Sequence, residues 1–440
     1  MSLCYDYSMR QEELREARCR FEAFLDPLLP LMGRSERRKW GGFYIQGMML
    51  EGGRKTAAGM SDRYGGNAQA MQQFVSQSPW DWGPVRRALA MQMVSVASSR
   101  CAWVLDDTGF PKKGNGSVGV ARQYSGTLGK VGNCQIGVSL NYATDEGCFP
   151  LDFELYLPEV WSKDVERRER AGVPADVTFK RKWELGLAMI DRARGWGMPE
   201  GVIVTDAGYG VATEFRQQLQ ARDLSYVAGI TGDVCMWRGT VMPEPVPYQG
   251  FGRPRKASMP QTETAATIAK SLPEDAWSHV VWREGTKGPM QGRFAAIQVR
   301  PSHGYADGAD LEPVIWLLIE WPKDAKEPTK YWLSNLSAEA SLRELVYWAK
   351  IRWWVEQNYQ QLKDDLGLDH FEGRSYNGWH HHVTLTMIAF GFLVMEGFRV
   401  KKNYWVDPPS CKEGVPEDTA DPPWLLPNVR QISSSRRYLT

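Results

Sequence analysis

The sequence predicts an α/β protein in which a mixed sheet, interrupted by a β-rich insertion, follows an α-helical N-terminal domain. Apolar residues recur at helical spacing through much of the first hundred residues. Short apolar runs typical of strands begin near Cys101 and then alternate with helical patterns, which indicates layered α/β structure. The chain has 440 residues, of which 43% are hydrophobic, so it can form two or three domains with a sizeable core.

Residues 1–99 are predicted to form the helical N-terminal domain. Helical spacing covers residues 9–27, 68–78 and 84–98. Basic side chains cluster at residues 34–39 and at Arg86 with Arg87. A helical unit with basic patches can bind DNA, and it can equally be a solvated cap. We take it as a DNA-binding domain, with the cap as the open alternative.

The α/β domain is predicted to begin at residue 100, and residues 100–230 form its first part. Its strands are short apolar runs bounded by turn residues: 101–105, 133–142, 149–157, 201–205 and 225–230. Its helices are expected at residues 178–195 and 212–222. Residues 126–130 (GTLGK) resemble a phosphate-binding loop in their glycines and lysine, but they lack the Walker spacing. A hairpin turn is therefore the preferred interpretation.

Residues 231–335 are rich in Gly and Pro and predict a β-rich insertion. Its β-like pieces are 279–282, 294–300, 314–321 and 331–334. Residues 336–402 are predicted to complete the domain with two helices, a long one at 338–366 and a strongly apolar one at 383–400. Residues 403–440, rich in Pro, Ser and Arg, predict an extended C-terminal tail.

The overall charge leaves the class of partner open. The chain carries 53 basic and 52 acidic side chains, a net charge of +1, which does not by itself indicate nucleic-acid binding. The basic residues nevertheless cluster in several short segments, so a local basic groove is compatible with this total. The seven Cys show no zinc-ligand spacing. No uninterrupted run of 18 apolar residues and no apolar signal core is found, so we expect a cytoplasmic protein with no membrane partner.

Three carboxylates form the candidate catalytic site. Asp107 and Asp206 each follow a predicted buried strand, and neighbouring strands would bring them to one edge of the sheet. Glu356 lies on the predicted long helix, between Arg352 and Lys363. Three carboxylates at one point repel each other unless divalent cations lie between them, and oxygen ligands suit Mg²⁺, with Mn²⁺ as a substitute.

Two such ions would activate a water or a 3′-hydroxyl for phosphoryl transfer, and Arg352 and Lys363 would neutralise phosphate charge. Each residue also has a structural interpretation. An Asp before Thr-Gly or Ala-Gly is often a turn former, and a Glu between Arg and Lys is often a surface ion pair. Asp106, adjacent to Asp107, adds an ambiguity because neighbouring strand residues point to opposite faces. His380, His381 and His382 lack a spaced metal-ligand partner and are expected to be structural or to face DNA.

These motifs resemble those of the DDE transposases of bacterial insertion sequences. The matching segments are residues 104–114 (VLDDTGFPKKG), residues 202–210 (VIVTDAGYG) and the spacing Arg352-x₃-Glu356-x₆-Lys363. The last resembles the IS-four superfamily, and the first is most similar to its IS-seven-hundred-one branch. The resemblance covers roughly residues 30–395 in the family's order. It implies a ribonuclease-H-like catalytic domain that binds two Mg²⁺ through Asp107, Asp206 and Glu356.

The resemblance also implies partners and DNA contacts. Family members excise an element and join its 3′ ends to target DNA, usually as a homodimer on double-stranded DNA, and here in a bacterial cytoplasm, associated with the nucleoid. Arg352 and Lys363 match residues that contact the transposon end. The family's Tyr is replaced by Ala349, and Tyr347 is the candidate substitute. Trp282 is a candidate for base stacking, and Lys112 and Lys113 are candidates for contact with the cleaved strand.

Two other functions remain open on the sequence. A domesticated or inactive relative would bind DNA or protein partners without cutting. A hydrolase with two carboxylates, such as a glycosidase, would need no metal. Mg²⁺ dependence and salt-sensitive binding to duplex DNA distinguish the transposase from these alternatives.

Overall fold

The computed structural model describes residues 11–241, 260–285, 288–303, 305 and 310–402. The chain divides into two compact units. The first contains the described residues up to Cys101, then Asp106–Pro199, and the described residues from Trp354 onward. The second contains Ala102–Leu105 and the described residues of Glu200–Trp353. The predicted tail at 403–440 lies outside the described residues.

The N-terminal part of the first unit is helical. Its α-helices are α1 Gln11–Leu25, α2 Ser35–Met48, α3 Ala57–Tyr64, α4 Ala68–Gln77 and α5 Trp82–Val94, and a 3₁₀ turn spans Leu29–Met32. Side-chain caps fix three of the helix starts: Thr56 accepts from Gly59 N, Asn67 from Ala70 N, and Asp81 from Gly83 N. The helices therefore begin where short polar residues can satisfy the first free N–H groups.

The C-terminal helix α14, Tyr376–Lys402, is the central helix of the first unit. It packs against α2, α4 and α5 and against strand β4, Cys148–Tyr156. Phe392 contacts Phe21 of α1 edge to face, with ring centroids 4.9 Å apart. By length and composition alone, Tyr376–Arg399 would pass as a membrane span, and 83% of its apolar window is buried inside the protein. Its apolar character is thus accounted for by packing within this unit.

The sheet of the first unit is built on β3, Lys130–Ala143. This strand has β1, Ala102–Pro111, on one side, and β2, Ala121–Ser125, with β4 on the other. Both β2 and β4 run antiparallel to β3. Three helices follow in the chain, α6 Glu159–Ser162, α7 Val165–Arg170 and α8 Lys182–Gly195, of which α8 covers β3 and β4. As expected, residues 126–130 form the hairpin turn between β2 and β3, with Gly129 in the left-handed region.

The second unit contains a large mixed sheet. The first half of β1 pairs in parallel with β5, Val202–Thr205, and β5 pairs in parallel with β6, Tyr226–Ile230. The remaining strands of this unit pair antiparallel. They are β7 Cys235–Arg238, β8 Glu263–Thr264, β9 Ser278–Gly285, β10 Gly288–Pro301, β11 Ile315–Glu320 and β12 Lys330–Ser334. Four of them contain most of the predicted β-like pieces, and β12 pairs with β6, so the β-rich segment extends the sheet.

Four helices complete the second unit: α9 Ala207–Gly210, α10 Thr213–Gln220, α11 Ala265–Ser271 and α12 Leu342–Ile351. The predicted long helix at 338–366 is wrong. The structure has two helices there, α12 and α13, Trp353–Asp364, with a turn at Arg352. The helix predicted at 178–195 begins only at Lys182. The strand predicted at 101–105 continues as β1 through Asp107 to Pro111, so Asp107 lies inside a strand and does not follow one.

Candidate active site

Asp107 lies on β1 in the first unit and is paired with a lysine. Lys182 Nζ lies 2.9 Å from Asp107 Oδ2, and the two side chains are 33% and 21% exposed. The backbone N–H of Asp107 donates to Asp106 Oδ1 over 2.7 Å. Asp106 itself is buried at 7% exposure. Asp107 is therefore the more accessible carboxylate of the two, and its charge is balanced by an ammonium group.

Lys363, on α13 of the first unit, is anchored to the same stretch of β1. Its Nζ donates to Gly109 O and to Thr127 Oγ1, both over 2.9 Å. Desolvation by burial lowers the pKa of this lysine, while Asp369 and Asp364 act in the opposite direction. The predicted basic residue thus lies against β1 two positions beyond Asp107. Its hydrogen-bond partners here are neutral oxygens.

Glu356 is exposed in the first turn of α13. The helix is held by a neighbouring face, where Val355 and Leu362 are fully buried. One turn after Glu356, Tyr359 Oη and Ser139 Oγ of β3 form a hydrogen bond of 2.6 Å. This contact ties the middle of α13 to the sheet of the first unit. Glu356 is therefore presented to solvent from a helix whose position is fixed by packing.

Asp206, in the second unit, follows β5 directly and caps α9. Its Oδ1 accepts from Gly208 N over 2.9 Å, so the turn-former interpretation of this residue describes part of its role. Gly229 of β6 lies against it, because a Cβ at that position would be 2.9 Å from the Asp206 carbonyl carbon. A similar close approach occurs at Gly210, where a Cβ would be 2.0 Å from Gly229 O. The backbone around Asp206 is thus closely packed, and only glycine fits at both positions.

Three predicted DNA-contact residues lie in the second unit. Arg352 is the C-cap of α12 and is partly exposed. Tyr347 is partly exposed on α12 and packs edge to face on Trp348, while Ala349 is buried at 6% exposure. Trp282 of β9 packs edge to face on Phe294, and the Lys350 ammonium lies 4.8 Å from its ring. The environment of Trp282 is that of a packed aromatic residue.

Lys112 and Lys113 differ in their surroundings although they are adjacent. Lys112 Nζ donates to Phe371 O over 2.7 Å, and desolvation lowers its pKa to about 8. Lys113 is exposed. Of the two, Lys113 has the side chain that is accessible to a polyanion.

The predicted site residues are therefore distributed over both units. Asp107, Glu356, Lys112, Lys113 and Lys363 belong to the first unit, and Asp206, Arg352, Tyr347 and Trp282 belong to the second. Within the part of the chain that the structure describes, no three His, Cys, Asp or Glu side chains are grouped as a metal-binding cluster.

The pairing of Lys182 with Asp107 was missed from the sequence. Lys182 belongs to the basic run at residues 180–182, and 75 residues separate it from Asp107. The prediction that Arg86 is part of a basic surface patch was also wrong. Arg86 is 1% exposed and donates to Asp152 Oδ1 and Thr384 Oγ1, so it belongs to the core and not to a basic patch. Arg87, beside it, is exposed.

The predicted histidine cluster is structural in the first unit. His380, His381 and His382 are fully buried in the first turns of α14. His380 stacks on Trp82 and His381 stacks on Trp80, with ring centroids 4.4 Å and 3.9 Å apart. These three side chains are part of the core.

Comparison with known proteins decides the family. A family model described as DDE superfamily endonuclease matches residues 27–289, more than half of the chain. The chain belongs to this superfamily. A probable transposase for insertion sequence element IS701 of Microchaete diplosiphon is 23% identical over 314 residues, which cover 70% of each chain. A piggyBac transposase, solved by cryo-EM as a synaptic complex with hairpin DNA, gives a TM-score of 0.45 at 11% identity, covering 96% of this chain and 80% of that one.

The resemblance to DDE transposases of insertion sequences is confirmed by these matches. The protein is thus placed among the proteins of transposition and DNA recombination. Nucleases of the DDE superfamily generally use divalent metal ions. Asp107 and Asp206 lie inside the segment matched by the family model, and Glu356 lies beyond it.

Proposed function

We propose that this DDE-superfamily protein is an active transposase, which cleaves DNA at transposon ends and joins the strands to target DNA. The observation that carries the proposal is the family match across Asp107 and Asp206, two carboxylates that the structure places on β1 and directly after β5. Apart from the short strand β2 and the short helices α6, α7 and α9, the first part of the domain runs as strands β1, β3 and β4, then helix α8, strand β5, helix α10 and strand β6. This order supports a ribonuclease-H-like catalytic domain, with the N-terminal helices as its DNA-binding part.

We assign Asp107, Asp206 and Glu356 as the catalytic metal ligands. All three offer carboxylate oxygens, the donors that Mg²⁺ and Mn²⁺ prefer, so the residues fit a pair of such ions. When bound, the two ions would activate the attacking oxygen and stabilise the leaving oxygen of the phosphodiester. The protein's own contribution is positioning. Gly208 N orients the Asp206 carboxylate, and the Tyr359–Ser139 contact fixes the helix that carries Glu356.

Double-stranded DNA, comprising transposon ends and target, is the proposed partner, bound by a homodimer in the bacterial cytoplasm. Arg352 and Lys363 are assigned to contact with the transposon end. Tyr347 is assigned to the DNA contact of the family's Tyr, whose position is occupied here by Ala349. Lys112 and Lys113 stay candidates for contact with the cleaved strand. Lys113 is favoured by its exposure, because Lys112 donates to the Phe371 carbonyl. Trp282 stays a candidate for base stacking, although its contacts with Phe294 and Lys350 favour a packing role.

The proposal is tested on a plasmid that carries the element's own ends. We expect excision with Mg²⁺, none with EDTA, and none with Asp206→Ala. Asp324→Ala, which removes an exposed carboxylate elsewhere in the second unit, is the matched control and should excise normally. DNA that is bound but uncut under every metal tried would favour an inactive, DNA-binding relative. Absence of both binding and cleavage would contradict the proposed function.

A further inference from the structure

Lys182 forms an ion pair with Asp107, and its position is set by α8. It is the first residue of that helix, directly after the N-cap Arg181. The backbone N–H of Arg181 donates to Glu184 Oε2 over 2.6 Å, which fixes the start of the helix. The ammonium group also lies 5.9 Å from the ring of Tyr156 on β4. Lys182 is therefore held against Asp107 by backbone structure within the same unit.

A lysine in this position is electrostatically unfavourable for the helix itself. The N-terminus of an α-helix carries partial positive charge, so a cation in the first turn costs about 0.3–1 kcal/mol. Helices gain stability when such positions hold acidic residues, and α8 has Glu184 there. The positive charge of Lys182 thus stabilises the Asp107 carboxylate and does not stabilise α8, the helix that carries it.

The Lys182–Asp107 ion pair is weak enough for a divalent cation to replace the ammonium group. Both side chains are partly exposed, and ion pairs in such surroundings contribute about 0.2–1 kcal/mol. A divalent cation carries twice the charge of an ammonium group and coordinates the carboxylate oxygen directly. Lys363, also in the first unit, donates instead to two neutral oxygens, Gly109 O and Thr127 Oγ1.

We propose that Lys182 is a charge placeholder at Asp107: it neutralises the carboxylate in the metal-free protein and is displaced by the incoming divalent cation. The inference rests on the proposed function, in which Asp107 is a metal ligand. Lys182 thereby sets the metal affinity of the site, because each binding event must first break the ion pair. It also keeps Asp107 from repelling DNA phosphates before metal is bound.

The test measures Mn²⁺ binding to the full-length, DNA-free protein by isothermal titration calorimetry. Lys182→Met should tighten Mn²⁺ binding, by up to about fivefold if the pair is worth 1 kcal/mol. Lys182→Arg keeps the charge and should bind Mn²⁺ like the wild type. Lys163→Met removes another lysine of the first unit, whose Nζ lies 2.7 Å from Glu159, and should leave the affinity unchanged.

The outcomes separate this inference from the function on which it rests. Unchanged or weaker Mn²⁺ binding in a folded Lys182→Met protein overturns the placeholder role. Wild-type Mn²⁺ binding in Asp107→Asn overturns the assignment of Asp107 as a metal ligand. Lys182→Gln, with a polar side chain of similar length, replaces Lys182→Met if circular dichroism shows that the latter has lost its fold, and the same tightening is expected of it.

Discussion

At the scale of single residues, burial separates basic side chains that hold the fold from those that are open to DNA. The adjacent residues Lys112 and Lys113 provide one example of each kind. Lys112 is tied to the Phe371 carbonyl, and its lowered pKa reflects desolvation. Lys113 is exposed. A charge that contacts a phosphate releases counterions when DNA binds, whereas a charge bonded to a carbonyl contributes to stability.

We therefore expect Lys113→Met to weaken DNA binding and to reduce the salt dependence of the binding constant by about 0.9 in logarithmic slope. Lys112→Met should instead lower the stability of the fold, by about 1–3 kcal/mol, since it leaves a carbonyl oxygen without its donor. Fluorescence anisotropy with duplex DNA at several salt concentrations and denaturant unfolding measure the two effects. Equal salt slopes for wild type and Lys113→Met would show that Lys113 makes no phosphate contact.

Residue types and spacing could predict the candidate carboxylates but not their surroundings. The motifs point to Asp107, Asp206 and Glu356 because each is embedded in a recognisable local pattern. The Lys182 partner of Asp107 and the burial of Arg86 depend on contacts between residues far apart in the chain. From the sequence, the dipeptide Arg86-Arg87 is indistinguishable from a basic surface patch. Only the tertiary structure shows that Arg86 donates to Asp152 and Thr384 in the core.

At the scale of secondary-structure elements, the turn after β5 depends on the approach of β6. Gly229→Ala would place a Cβ 2.9 Å from both Ala207 N and the Asp206 carbonyl carbon, which are backbone atoms that cannot rotate away. We expect Asp206 to shift by a few tenths of an ångström and excision to fall about tenfold or more. Stability should fall by about 1–3 kcal/mol.

The matched control for this substitution is Gly195→Ala. Gly195 is the last residue of α8, and a Cβ there meets open space, so excision and melting temperature should stay at wild-type values or rise slightly. Comparing plasmid excision by both variants isolates the effect of crowding at Asp206. Wild-type excision by a folded Gly229→Ala protein would show that this close approach does not position the carboxylate.

Elements with a strong local pattern were predictable, and those shaped by tertiary contacts were not. The four β-like pieces between residues 279 and 334 correspond to β9, β10, β11 and β12, because short apolar runs separated by polar, Gly- and Pro-rich segments suffice to indicate them. The turn at Arg352 was missed, since residues 342–364 contain no Gly or Pro to end a helix. The extension of β1 through Asp107 was missed because Asp-Thr-Gly is a turn pattern unless neighbouring strands hold it extended.

At the scale of the whole molecule, stability has a built-in dependence on pH. The folded protein buries His380, His381 and His382, and desolvation lowers the pKa of all three, to about 4 for His381 and about 3 for His382. Their ordinary pKa is about 6.5. Below that pH the unfolded chain takes up protons that the folded protein does not, so the free energy of unfolding falls as pH decreases. Above it, these residues contribute no pH dependence.

Denaturant unfolding at pH 7.5 and pH 5.5 tests this expectation. Each buried histidine should lower the free energy of unfolding by about 1.4 kcal/mol between pH 7.5 and pH 5.5. The reason is that the lower pH lies one unit below the pKa of the histidine in the unfolded chain and above its pKa in the folded protein. His279→Asn, which removes an exposed histidine of the second unit, should leave the difference unchanged. A free energy of unfolding that is the same at both pH values would mean that the three rings take up protons in the folded state. The core around α14 would then have to admit water or a counter-ion to each of them, and the close stacking of His381 on Trp80 argues against that.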